Sequence, residues 1–218
     1  PLNAQDFDLQ YLVRQPLKSV QNPPVLFLFH GSGSNEQDIF SLASQISDEW
    51  LIISVRAPYT ISKGHYKWYD VELVNNKIVI NFSQEEESRK TVLKFIDKIS
   101  SFYHVDKKRI VLAGFSQGAN IASVVSLTAP EKIAGFAIFS GRFIEEIKPL
   151  ISDLTSLKSL KCFLAHGNQD YMLPITYAWE NQQILQNFGI GVTFSEDTVA
   201  HSISPKQFND FLLWLKQL

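Results

Sequence analysis

The sequence predicts an α/β fold with a mainly parallel central sheet and helices on both faces, and three observations carry that expectation. Short apolar runs recur along the chain, each bounded by turn residues and flat in polarity, as strands covered on both faces should be. Segments with helical spacing lie between them, and this alternation builds parallel βαβ units. At 218 residues, 45% hydrophobic and 19% charged, the chain suits one domain over residues 1–218 with a well-buried core.

The first strand is expected within Asp8 to Arg14, followed by strands at Val25 to Phe29 and Leu51 to Val55. Ala57 to Val71 shows no clear strand and reads as substrate-binding loop. Val71 to Val74 and Lys77 to Ile80 flank Asn75-Asn76, a pair that tolerates positive φ, and predict a surface β-hairpin. A helix is expected from Ser83, where Ser-x-x-Glu86 can form a capping box, with Val92, Phe95, Ile96 and Ile99 on one face. Its end at His104 places an imidazole where it favours the C-terminal dipole. Further strands are read at Arg109 to Ala113, Ile133 to Phe139, Lys161 to Ala165 and Val192 to Ser195, with a helical run at Ala119 to Leu127. The final helix starts at Ser204, with Pro205 at its first position and Gln207 completing a box, and buries Phe208, Phe211, Leu212 and Leu215.

Composition excludes several classes. Lys and Arg number 20 against 22 Asp and Glu, for a formal charge of -2, and they are scattered, so no nucleic-acid backbone is anticipated. No apolar run approaches the ~18 to 20 residues needed to span a bilayer, and Pro1 to Gln10 has neither the basic start nor the apolar core of a leader. A cytoplasmic location is the resulting expectation. The single cysteine, Cys162, sits in an apolar run and reads as a packing residue. The triplet Asn81-Phe82-Ser83 matches a glycosylation sequon, which carries no meaning in that setting.

The chemistry centres on Gly114-Phe-Ser-Gln-Gly118, between a strand and a helix, the context of a nucleophile elbow. The turn is so sharp that bulk beside the serine would strike strand or helix. A serine hydroxyl needs a base to take its proton and a third group to orient that base, and in the α/β-hydrolase fold the order is Ser, acid, His. Ser116, Asp170 and His201 satisfy it, each after a predicted strand. Asp197 is the rival acid, in the wrong order for the fold. His30-Gly-Ser-Gly33 follows the strand Val25 to Phe29, which assigns the oxyanion hole to the backbone amides of Ser32 and Gln117. His30 and His166, each in a His-Gly pair, read as bracing loops, and His104 as structural.

These residues resemble the phospholipase/carboxylesterase branch of the α/β hydrolases, which includes the acyl-protein thioesterases. The resemblance rests on Leu28-Phe-His-Gly-Ser-Gly33, Arg56-Ala-Pro58, Trp68-Tyr-Asp70, Gly114-Phe-Ser-Gln-Gly118, His166-Gly-Asn-Gln-Asp170 and His201-Ser202. It implies an α/β-hydrolase fold with minimal or no cap domain and no cofactor or metal. Such an enzyme acts on small-molecule esters or thioesters through Ser116, Asp170 and His201. It also implies that Trp68, with Tyr69 beside it, lines the substrate pocket; loop packing is the alternative for both. A homodimer is admitted. Two positions depart from the family pattern: Ala200 stands where Gly often precedes the histidine, and Ser32 replaces an apolar residue. Lactone or peptide cleavage on the same triad, or a non-catalytic scaffold, are the competing readings.

Overall fold

The computed structural model describes residues 7–75, 77–151 and 153–218. The chain runs β1 (Tyr11–Arg14), β2 (Val25–Phe29), α1 (Glu36–Phe40), β3 (Leu51–Val55), β4 (Tyr59–Ser62), β5 (His65–Lys67), β6 (Val71–Val74), β7 (Lys77–Ile80) and α2 (Phe82–Phe102). It continues through β8 (Ile110–Phe115), α3 (Gln117–Thr128), β9 (Gly135–Phe139), α4 (Leu154–Leu157), β10 (Lys161–Gly167), α5 (Thr176–Asn187), β11 (Gly191–Asp197) and α6 (Pro205–Leu215).

Among the described residues, one sheet of seven strands has the order β1-β3-β2-β8-β9-β10-β11. Only β1 is antiparallel to its neighbour, with Tyr11 opposite Val55; the other pairs are parallel. Successive side chains of a strand point to opposite faces. Val25, Phe27 and Phe29 therefore join one apolar cluster with residues of α2, α3 and α5, while Leu26 and Leu28 join another with residues of α1 and α6. Helices thus cover both faces, and this is why the strands read as unbroken apolar runs. No helix among the described residues is long and apolar enough to cross a membrane.

The elements differ from expectation mainly at their ends. Helix α2 is capped by Asn81, whose side chain accepts from the Gln84 amide, and not by a box at Ser83 and Glu86. Asn81 is the first residue after β7 with extended backbone, and its own N–H is held by the Asp70 carbonyl. The sequon asparagine is therefore a helix cap. His104 follows the C-cap Tyr103 with φ 50, a left-handed stop to the helix. Strand β9 begins at Gly135 and not Ile133, because Ile133 closes the 3-10 turn Pro130–Lys132. The hairpin β6–β7 forms with Asn75 at φ 50; Asn76 lies outside the described residues. Ala57 to Val71, read as loop, contains a second hairpin, β4–β5, turning at Gly64 with φ 82. The capping box of α6 is present, with Ser204 Oγ accepting from Gln207 N at 3.1 Å and Gln207 Oε1 accepting from Ser204 N at 3.0 Å. Leu212 is only half-buried there, and Trp214 takes its expected place in the core.

Candidate active site

Strand β8 delivers Ser116 into a backbone conformation that side-chain-bearing residues rarely adopt, φ 53 and ψ −118. Such strain costs on the order of 1–3 kcal/mol and persists only where the surroundings enforce it. Here they do. The Ser116 N–H donates to the Phe139 carbonyl at 2.8 Å, and its own carbonyl accepts from Ala119 and Asn120 at the start of α3. Both flanking glycines are sterically required. A Cβ on Gly114 would lie 2.2 Å from the Gly118 carbonyl, and one on Gly118 would lie 2.2 Å from the Phe29 carbonyl.

Asp170 and His201 come from neighbouring parallel strands. Pairing of β10 with β11 continues past both as backbone bonds, from Asn168 N to the Asp197 carbonyl at 2.9 Å and from Gln169 N to the Val199 carbonyl at 3.1 Å. This stitching brings His201 Nδ1 to 2.7 Å from Asp170 Oδ2 and His201 Nε2 to 3.0 Å from Ser116 Oγ. The other carboxylate oxygen, Asp170 Oδ1, accepts from the amides of Met172 and Leu173. The wholly buried His166 donates from Nε2 to the Leu173 carbonyl at 2.7 Å, bracing the acid loop. Asp197 is occupied elsewhere, its carboxyl held below the usual range by the Ser204 hydroxyl and the Thr198 amide.

The predicted oxyanion residues both line the cleft that contains Ser116. Gly31 to Ser34 form a turn closed by Ser34 N to the Gly31 carbonyl, with Gly33 at φ 80, and Gly33 N donates to the Tyr66 carbonyl. The amides of Ser32 and Gln117 are left without a hydrogen bond among the described residues. His30 fixes this loop from behind: Nε2 accepts from Ala57 N at 3.1 Å, so Nδ1 donates to the Gly31 carbonyl at 2.7 Å. Burial pushes the His30 pKa down, which favours this neutral form.

Trp68 and Tyr69 part company. Trp68 is fully buried, donates from Nε1 to the His30 carbonyl at 2.9 Å, meets the Phe29 ring edge-on, and does not line the cleft. It is a packing residue, because a side chain anchored to the loop behind Ser32 cannot also face substrate. Tyr69 does reach the cleft, its hydroxyl accepting from Asn120 Nδ2 at 2.8 Å. The Gln117 side chain clamps both, accepting from Trp68 N at 2.7 Å and donating to the Tyr69 carbonyl at 2.8 Å. Sequence reasoning missed Asn120 and this use of Gln117; one signal was available, two carboxamide side chains in the first turn of a helix that is otherwise apolar apart from three hydroxyl residues.

The cleft holds about 240 Å³ and is completed by apolar groups of the β6–β7 hairpin and by Met172 and Leu173. A second, more apolar cleft of about 310 Å³ lies on the other side of His201, between His30, Ile39, Leu42, Phe115 and Ile203. Cys162 takes part in neither; it is fully buried, and burial pushes its thiol well above the usual range.

One buried acid stands near the site without a partner. Glu85, in the first turn of α2, has no exposed surface and neither carboxylate oxygen is hydrogen-bonded. Burial first, then the neighbouring Glu86, push its pKa up to about 7 from 4.5, against Arg89 pulling it down. The folded state thus holds this proton more tightly than the unfolded chain, and the stabilisation, full below pH 4.5, is lost as pH rises through 7. Glu85→Gln is expected to gain roughly 3 kcal/mol over the parent at pH 8 and nothing at pH 4, by urea denaturation at both pH values. An equal gain at both would show that the carboxyl is not the titrating group.

A mainly parallel sheet whose central strand ends in a strained serine turn, with an acid and a histidine presented after β10 and β11, defines the α/β-hydrolase class. The profile of the phospholipase/carboxylesterase family matches residues 13–218, and the chain belongs to that family. It is a hydrolase of the carboxylesterase type. Acyl-protein thioesterase 1 of Mycosarcoma maydis is 25% identical over 96% of this chain and 97% of its own length. The protein of the same name from Emericella nidulans is 26% identical over 88% and 89%. The fold matches that of a Bacillus cereus carboxylesterase with a TM-score of 0.83 at 20% identity, covering 98% of this chain and 96% of the other.

Proposed function

We propose that the chain hydrolyses carboxylic esters and thioesters by two-stage acyl transfer on Ser116, within one α/β domain. His201 Nε2 takes the hydroxyl proton as Ser116 Oγ attacks the carbonyl, and Asp170 Oδ2 holds Nδ1–H so that the free nitrogen faces the serine. The negative charge on the former carbonyl oxygen meets the two unbonded amides, Ser32 and Gln117. His201 returns the proton to the departing alcohol or thiol, and water then attacks the acyl-serine by the same route. The observation that carries this reading is the unbroken chain from Ser116 Oγ to His201 at 3.0 Å and on to Asp170 at 2.7 Å. The relatives named acyl-protein thioesterase support thioesters beside esters.

Hydrolysis of p-nitrophenyl esters and acyl-thioesters from acetyl to palmitoyl tests the reading and ranks acyl lengths. Turnover of neither series, with no labelling by a fluorophosphonate, would mark a silent scaffold instead.

The oxyanion assignment separates a backbone donor from a side chain. Ser32→Ala keeps the amide and is expected to stay within about tenfold of the parent. Ser32→Pro deletes it. Proline suits the second position of a turn, so the loop can persist, and kcat should fall about 10² to 10³-fold. An equal loss in the alanine variant would assign the work to the hydroxyl.

A further inference from the structure

At the end of β9 the turn Ser140-Gly-Arg142 delivers a side chain that the proposed chemistry does not use. Arg142 lines the same cleft as Ser116, Tyr69 and Asn120. Its backbone is fixed from two sides, since its N–H donates to Asn120 Oδ1 at 2.9 Å and the Gly141 carbonyl accepts from Asn181 Nδ2 at 3.0 Å. Asn120 and Asn181 are themselves buried. Ser140 enters the turn at φ 51, a left-handed conformation that the surrounding structure must hold in place.

The guanidinium at the end of this anchored turn is under-satisfied. Nη2 is buried without a hydrogen-bond partner, and Nη1 makes one long contact, 3.4 Å to the Phe143 carbonyl. Among the described residues it forms no ion pair. Glu85 and Glu146 share the electrostatic surroundings of Tyr69 with Arg142, yet neither bonds to it. Arginine stays charged at any working pH and presents its donors as a planar fork. Arg142 is half-buried, and a guanidinium nitrogen sealed from solvent without a partner weakens the fold, so the acceptor for Nη2 is missing from the protein itself.

We propose that Arg142 is a specificity residue that binds a carboxylate carried by the substrate, so that esters and thioesters bearing a nearby carboxylate are preferred over neutral ones. The charges in the cleft decide between anions. Among the described residues, Arg142 and His201 are the basic side chains lining it, and the rest of the wall is shared between the apolar Val71, Ile78, Ile80, Met172 and Leu173 and neutral polar groups. One guanidinium balances a monoanionic, planar carboxylate and leaves a phosphate dianion half neutralised. The proposal rests on Ser116 as nucleophile, because it is Ser116 that makes this cleft the acyl-transfer site.

The test compares kcat/KM for monomethyl glutarate with that for its terminal amide, and for 4-acetoxybutyrate with that for 4-acetoxybutyramide. The first pair places the carboxylate on the acyl side and the second on the alcohol side. The parent is expected to favour the acid about 10- to 100-fold in one of the pairs, the range of a charge-assisted hydrogen bond. The ratio should fall to near one in Arg142→Gln and be partly kept in Arg142→Lys. Calorimetric titration of glutarate into Ser116→Ala reads the same contact without turnover, and binding should vanish in Ser116→Ala/Arg142→Gln. Near-unit ratios in the parent for both pairs, or a preference that survives Arg142→Gln, would overturn the proposal. Better turnover of methyl 4-phosphonobutyrate than of monomethyl glutarate would overturn the choice of carboxylate. The amides keep the two readings apart: loss of their hydrolysis in Ser116→Ala reports on the nucleophile alone, whereas glutarate binding reports on Arg142 alone.

Discussion

Ser116→Ala is expected to lower kcat by a factor on the order of 10⁶, the scale seen when a triad serine is removed from a serine protease. Covalent labelling by a fluorophosphonate should vanish with it, and circular dichroism should be unchanged, because among the described residues the Ser116 side chain bonds only to His201. Ser116→Gly should be equally inactive but more stable than Ser116→Ala. Alanine inherits the strained φ of 53, whereas glycine adopts it freely. Thermal melts of the two dead variants therefore separate chemistry from strain. Turnover surviving in either one would remove Ser116 from the reaction.

Asp170→Asn is expected to cost about 10⁴ in kcat, and the acid loop supplies the reason. The amides of Met172 and Leu173 point at Oδ1 and would hold the asparagine carbonyl on their side. The asparagine NH₂ is then turned to His201 Nδ1, which must accept. The imidazole proton moves to Nε2, and the base presents a donor to Ser116 in place of a lone pair. Asp197→Asn should stay within about threefold, since Asp197 bonds to Thr198 and Ser204 and not to His201. Steady-state kinetics of the pair decides, and a crippled Asp197→Asn beside a near-normal Asp170→Asn would reverse the assignment.

Much of this was legible in the residues. Strands covered on both faces announce themselves as apolar runs, which located the cores of β2, β3, β8, β9 and β10; β11 was placed as well, although most of it is exposed or half-buried. The three residues brought together by the fold, Ser116, Asp170 and His201, follow three of those strands. Strand ends were less legible: His166-Gly167 reads as loop by composition but stays in β10, where Gly167 approaches the Val199 carbonyl too closely for any Cβ. The β4–β5 hairpin was missed because its strands are mostly exposed or half-buried and carry no apolar run. Trp68 was left open between pocket wall and loop packing because size and aromaticity are the same in both, and it is the bond from its Nε1 to the His30 carbonyl that favours packing. Arg142 gave no signal, since only the sheet order brings the end of β9 beside the elbow.

The histidine hangs from β11, the outermost strand of the sheet, whereas the serine hangs from β8 at its centre. Sheet margins open more readily than sheet interiors, through local fluctuations that leave the rest of a domain folded. The proposed triad therefore ties catalytic competence to the least protected strand that contributes to the site. Partial detachment of β11 would carry His201 away from Ser116 with the two apolar clusters still largely packed. On the proposed triad, turnover is expected to gauge the integrity of one edge, and its loss on warming to precede the melting of the core.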